Sequence, residues 1–117
     1  MSTTLIPHLC CANCVEAIEF YKKAFGATEL MVMKGPDGKV MHGGLSIDGA
    51  PVYLVDEFPD FGALGPKAIG GTPVTMQLQV SDCDAVFNKA VEAGCTVIMP
   101  LDDMFWGDRY GLVTDPY

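Results

Sequence analysis

The chain has 117 residues, half of them hydrophobic and 19% charged, with fifteen acidic residues against seven basic ones and a formal net charge of −8. This composition excludes intrinsic disorder, and a chain of one-domain length buries roughly two-thirds of its unfolded surface. The basic residues are scattered, which argues against nucleic acid or anionic membranes as partners. No apolar run reaches the roughly 18 to 20 residues of a bilayer span, and the N-terminus lacks the order of a signal peptide, so the cytoplasm is the expected location.

In chain order, a short extended run at residues 6–10 comes first. Asn13 is then a good helix N-cap, with Glu16 three positions on. Cys14, Ala17, Ile18, Tyr21 and Phe25 recur at helical spacing as one apolar face, while Glu16, Glu19, Lys22 and Lys23 cover the other. Gly26 stops the helix in the manner of a glycine C′ residue. Residues 28–34 read as a strand, Gly35-Pro36-Asp37-Gly38 as a hairpin turn, 39–47 as the returning strand, and 51–56 as a fourth strand after the turn at Asp48-Gly49-Ala50. Residues 57–72 carry neither period. They are rich in Pro and Gly, and this stretch is expected both to join two modules and to act as a lid through Phe58 and Phe61.

The same plan then repeats. An extended run at residues 75–80 precedes Asp82, a second N-cap, and a helical pattern that ends at Gly94 with Val86, Phe87 and Ala90 inward. Asn13 and Asp82 are 69 positions apart, whereas Gly26 and Gly94 are 68 apart, so the second helix is one residue shorter. A strand through Val97 to Pro100, a turn at Leu101-Asp102-Asp103 and a strand from Phe105 to Asp115 complete the chain. The expected organisation is one domain made of modules 1–56 and 73–117, joined by loop 57–72.

Of the five cysteines, Cys10, Cys11 and Cys14 crowd within five positions. Adjacent residues on a strand point to opposite faces, so Cys10 and Cys11 cannot both turn toward one metal or one disulfide partner. Small core fillers in a reducing compartment are the expectation, with a zinc site or disulfide as the alternative.

The segments PHLCC, AIEFYKKAFGA, DGKVMHGGLSIDG, VYLVDE, GGTP and FWGDRYGLVTDPY, in this order and at these separations, resemble the PhnB-like branch of the glyoxalase/bleomycin-resistance/dioxygenase superfamily, also called vicinal oxygen chelate proteins. The resemblance implies an α+β fold of two βαβββ modules curled into a half-open, mainly antiparallel barrel around a cleft. The last strand of the second module has no counterpart in this sequence. Members of the superfamily complete the cleft by pairing modules or by dimerising, and a homodimer is expected. The superfamily includes metal-dependent lyases, isomerases and dioxygenases as well as proteins that sequester antibiotics, so the fold alone does not select among them.

Catalytic members hold a divalent metal with His, Gln or Glu from the first and fourth strands of each module. Counting back from the helix caps, the first-strand ligand positions fall on Ile6 and Thr75, and the fourth-strand position on Leu54; none is a good ligand. Strand alternation places His8 on the face of Ile6, and Gln77 and Gln79 on the face of Thr75. The reading is therefore a small-molecule site between modules, without cofactor or identified catalytic residue, lined by Ile6, His8, Tyr53, Gln77, Gln79, Trp106 and Arg109. Arg109 suits a carboxylate or phosphonate, and Trp106 with Tyr110 suits an aromatic ligand. A structural Arg109 paired with Asp108 or Asp115 is the competing account.

The alternative is a zinc, nickel, manganese or iron enzyme using His8 and Gln77, with Asp56 or a C-terminal residue as a further donor. By alternation His42 shares a face with Val40 and Gly44, and it is read as a surface or core histidine as readily as a cleft one. Asp56 and Glu57 are read as turn residues rather than general bases.

Overall fold

The computed structural model describes residues 2–117. Strand β1 (His8–Cys11) leads into α1 (Cys14–Phe25), followed by β2 (Thr28–Lys34), β3 (Val40–Ile47) and β4 (Ala50–Asp56). These strands form one mixed sheet in the order β1-β4-β3-β2, with β1 parallel to β4 and the other pairs antiparallel. The connection carries a short 3-10 turn (Pro59–Phe61) and α2 (Pro66–Ile69). The second half contributes α3 (Cys83–Ala93), β5 (Thr96–Asp103) and β6 (Arg109–Thr114), the last two forming a separate antiparallel pair. The fold is α+β, and the two sheets do not join into a closed barrel.

Both helices start and stop where their caps dictate. The Asn13 side chain accepts from the Glu16 N–H at 3.2 Å, and its amide nitrogen donates to the Glu16 carboxylate at 3.1 Å, so cap and third residue hold each other. Asp82 accepts from the Ala85 N–H at 3.1 Å. Gly26 closes α1 with a left-handed φ of 66° and donates its N–H to Tyr21. The two helices have 12 and 11 residues, the one-residue difference that the repeat predicts.

The core lies between α1 and the four-stranded sheet. Cys14, Ala17, Ile18 and Tyr21 pack against Cys11, Val40, Leu45 and Leu54, all of them buried. Each large aliphatic side chain contributes about 1.5–3 kcal/mol by leaving water. Asp56, at the end of β4, is the one buried charged residue among those described, 7% exposed. Its Oδ1 accepts from the Cys14 N–H at 2.9 Å and its Oδ2 from the Val40 N–H at 2.7 Å. One carboxylate thus joins the first turn of α1, the start of β3 and the end of β4.

The halves meet through their helices and the C-terminal tail, not through their sheets. Phe20 of α1 lies against Gly94 at the end of α3, where an added Cβ would sit 3.4 Å from the ring. The Tyr21 hydroxyl donates to Asp115 at 2.9 Å, the Tyr117 hydroxyl donates to Glu16 at 2.6 Å, and the rings of Phe20 and Tyr117 pack edge to face. The radius of gyration, 15.1 Å, exceeds the roughly 13 Å of a compact domain this long, as expected when two halves share a helical seam without closing on each other.

Three expectations from the sequence require correction. Residues 73–80 are extended and exposed but belong to no sheet. Their counterpart in the first half, β1, has β4 as its ladder partner, and no part of this sequence stands in the place of β4 for the second half. The turn placed at Leu101-Asp102-Asp103 belongs to β5. The reversal comes later, where Met104 donates its N–H to Asp108 and Gly107 donates to Met104, with Gly107 at a φ of 97°. Val40 does not share a face with His42 and Gly44, because a register irregularity between Met33 and Lys34 turns Val40 inward onto the core.

Removing the Asp56 carboxylate should be among the most damaging single changes in the chain. Asp56→Ala strands two buried N–H donors and is expected to cost about 2–4 kcal/mol in urea unfolding, with Asp56→Asn retaining part of the loss because its amide oxygen still accepts one bond. A midpoint within error of the parent for Asp56→Ala would refute the role assigned to this residue.

Candidate functional site

The face of the four-stranded sheet away from α1 carries the candidate site. Cross-strand register sets out one row, His8 on β1, Tyr53 on β4, Gly44 on β3 and Met31 on β2. Met33 on β2 lies opposite His42 on β3, one step along. The three rings touch: centroids are 4.7 Å apart for His42 and Tyr53, 6.0 Å for His8 and His42, and 6.2 Å for His8 and Tyr53. All three pairs are close to perpendicular, the edge-to-face arrangement that aromatic quadrupoles favour.

Two adjacent glycines serve opposite faces of β3. A Cβ on Gly43 would meet Ile18, Val40 and the Leu54 carbonyl at 3.4 Å, inside the core. A Cβ on Gly44 would instead meet Met31 and the Tyr53 ring at 3.6 Å. Gly43 therefore lets the helix approach the sheet, and Gly44 lets Tyr53 and Met31 lie close over the backbone.

Of the residues proposed from sequence, the structure brings His8 and Tyr53 together and adds His42, Met31 and Met33. Ile6 precedes β1 and is half-buried. Gln77 and Gln79 are exposed, and their side chains bond each other at 3.2 Å. Trp106 sits on the β5–β6 turn, packed against Phe105 and Tyr110 and about half exposed. Arg109 opens β6, and its guanidinium pairs with the carboxylates of Asp84 and Asp103, with Nη2 3.3 Å from Asp84 Oδ2 and Nη1 3.3 Å from Asp103 Oδ1. That pairing holds the Asp84 carboxyl below the usual carboxylate range. The competing structural account of Arg109 is therefore the one seen, with Asp84 and Asp103 in place of Asp108 or Asp115.

The segment expected from sequence to act as a lid is tied down at its base. Glu57 accepts from the Gly65 N–H at 2.7 Å, Lys39 donates to the Glu57 carbonyl at 3.1 Å, and the Lys39 ammonium stands 5.2 Å over the Phe58 ring. Phe58 is half-buried and bridges to Ala63, while Phe61 is 88% exposed. Both carboxylates at the strand end are occupied by backbone N–H donors.

Among the described residues no group of three or more His, Cys, Asp or Glu converges as a metal site. His8 and His42 alone fall short of the three or four donors that zinc and its neighbours require, and Gln77 bonds to Gln79. Two shallow depressions lie elsewhere. One of about 330 Å³ is bounded by Val15, Ile18, Glu29 and Val32, and one of about 160 Å³ lies between α1 and α3 at Phe25, Val86 and Lys89.

The five cysteines are all free, with Cys11, Cys14 and Cys95 buried. Burial first, and nearby acidic groups second, push Cys11 and Cys14 up to about 12. The thiolate is the reactive species, so these two should resist a thiol reagent at pH 8 in the native protein and react only on unfolding. Rapid native labelling of Cys11 or Cys14, read by mass spectrometry, would contradict the packing described.

Residues 5–117 match the Glyoxalase/Bleomycin resistance protein/Dioxygenase superfamily. An uncharacterized protein of Mycobacterium bovis is 48% identical over 116 residues, covering 97% of this chain and 76% of that one. A Pseudomonas aeruginosa protein of known structure superposes with a TM-score of 0.77 at 26% identity, covering 98% of this chain and 91% of its own. TnmS3, an antibiotic binding protein from Streptomyces sp. CB03234, gives a TM-score of 0.73 at 23% identity, covering 99% of this chain and 88% of its own. The chain belongs to the glyoxalase/bleomycin resistance protein/dioxygenase superfamily.

Proposed function

We propose that this chain, a member of the PhnB-like branch of its superfamily, binds a small molecule on the sheet face centred on Tyr53, without a cofactor. The observation that carries this reading is the contact of His8, His42 and Tyr53 on a face flanked by Met31 and Met33, two exposed thioethers. Flexible methionines beside rigid rings make an adaptable recognition surface. The fold it shares with TnmS3 adds support to sequestration as the biological role, with antibiotics as one ligand class. A metal-dependent lyase, isomerase or dioxygenase is the second reading, favoured by the proximity of His8 and His42, and it needs further donors from outside this cluster. Five unpaired cysteines suit a reducing compartment such as the cytoplasm.

We also propose that a second copy covers the exposed apolar side chains of the second half. Val97, Ile98 and Met99 on β5 are exposed, as are Val74 and Met76 on the extended segment, and large exposed apolar surfaces mark interfaces. Residues 75–80, extended and outside both sheets, offer backbone donors and acceptors suited to a strand edge. Light scattering should give twice the chain mass of 12.5 kDa. A monomer at micromolar concentration would remove this part of the proposal.

The binding reading is tested by screening small molecules by thermal shift and measuring the hits by calorimetry in the parent and in His8→Ala/Tyr53→Leu. A hit should lose about tenfold or more in affinity in the variant, with melting temperatures within about 3 °C of each other. Unchanged affinity for every hit would place the site elsewhere. A stoichiometric divalent metal in protein purified without chelator, lost in His8→Ala, would favour the enzyme reading.

A further inference from the structure

The composition of the sheet face narrows what it accepts. The row His8, Tyr53, Gly44 and Met31, with Met33 opposite His42, presents rings and thioethers and no Asp, Glu, Lys or Arg side chain. The arginine that suited an anion is neutralised by Asp84 and Asp103, and the chain as a whole carries −8. A carboxylate or phosphonate laid on this face would lose its hydration with no Lys or Arg side chain to replace it. Of the two ligand characters expected from sequence, anionic and aromatic, this composition favours the aromatic one.

The ring geometry favours a flat ligand. Both imidazoles stand close to perpendicular to Tyr53, at 79° and 89°. A second ring parallel to Tyr53 would meet both imidazoles in the same edge-to-face relation that Tyr53 already does. Met31 lies across Gly44 from Tyr53 and Met33 is paired with His42, and thioether contacts with a ring edge are favourable. Gly44 keeps this arrangement low, since its missing side chain brings Tyr53 and Met31 together over the backbone.

We infer that the ligand of this face is an uncharged planar ring compound, stacked on Tyr53 with a hydrogen-bonding edge toward His8 and His42. This rests on the binding role proposed above and adds the chemical class.

The test uses the full chain with isotope-labelled methionine methyl groups and three probes: naphthol, naphthalenesulfonate and adamantanol. Naphthol should shift the Met31 and Met33 signals saturably, and the other two should bind at least about tenfold more weakly. Tyr53→Phe, which keeps the ring, should retain naphthol affinity within about twofold, and Tyr53→Leu should lose about tenfold. Equal binding of naphthalenesulfonate, or of the bulky adamantanol, at Met31 and Met33 would overturn the ligand class while leaving the binding face intact. Naphthol shifts confined to Met76 or Met99 would overturn the location. If none of the probes moves any methionine signal, the ring class fails, while hits in the thermal-shift screen would still uphold the binding role.

Discussion

The first half of this chain depends on where the Asp56 carboxylate goes. Charge in a protein interior is tolerated only when its hydrogen-bonding capacity is filled, and here each oxygen takes a backbone N–H that the secondary structure leaves free. The donor on α1 belongs to its first turn, whose N–H groups lack intrahelical partners and whose dipole favours a negative neighbour. The donor on β3 lies where the strand turns Val40 into the core. The carboxylate that seats the helix therefore also holds Val40 beside the bulge, beyond which His42 lies on the opposite face.

That local event divides the packed face of a single sheet from the face proposed to bind. On the helix side, Leu45, Leu54 and Gly43 are committed to packing at close distance. On the other side, Tyr53, His42 and His8 contact one another without contributing to that core. The second half is organised differently. Gly111 leaves room for Phe87, whose ring would be 2.7 Å from an added Cβ, so α3 rests directly on β6. Its single arginine ties α3 to the two-stranded sheet, and its tail grips α1.

Much of the fold was legible because it is written in local rules: caps at Asn13 and Asp82, glycine stops at Gly26 and Gly94, and an apolar stripe on α1. The repeat gave the helix lengths to the residue. What was not legible was whatever depends on non-local pairing. The alternation of residues 75–80 is that of a strand, but alternation cannot state whether a ladder partner exists. The orientation of His42 escaped because a bulge breaks the period of two on which face assignment rests. Arg109 illustrates the same limit: two aspartates distant in sequence or across the hairpin, Asp84 and Asp103, capture it, and nothing near it in the chain announces them. Alternation put His8 on the face of Ile6, but only the register of β1 against β4 sets it beside Tyr53.

The bond between Tyr21 and Asp115 spans 94 positions. A chain emerging from the ribosome can cap α1, close the β2–β3 and β3–β4 hairpins and bury most of the first core long before its last residues appear. Throughout that interval the Tyr21 hydroxyl lies in the core without its acceptor, a polar group waiting on an aspartate still to be translated. A single phenol thus couples the packing of the first half to the placement of a residue from the second.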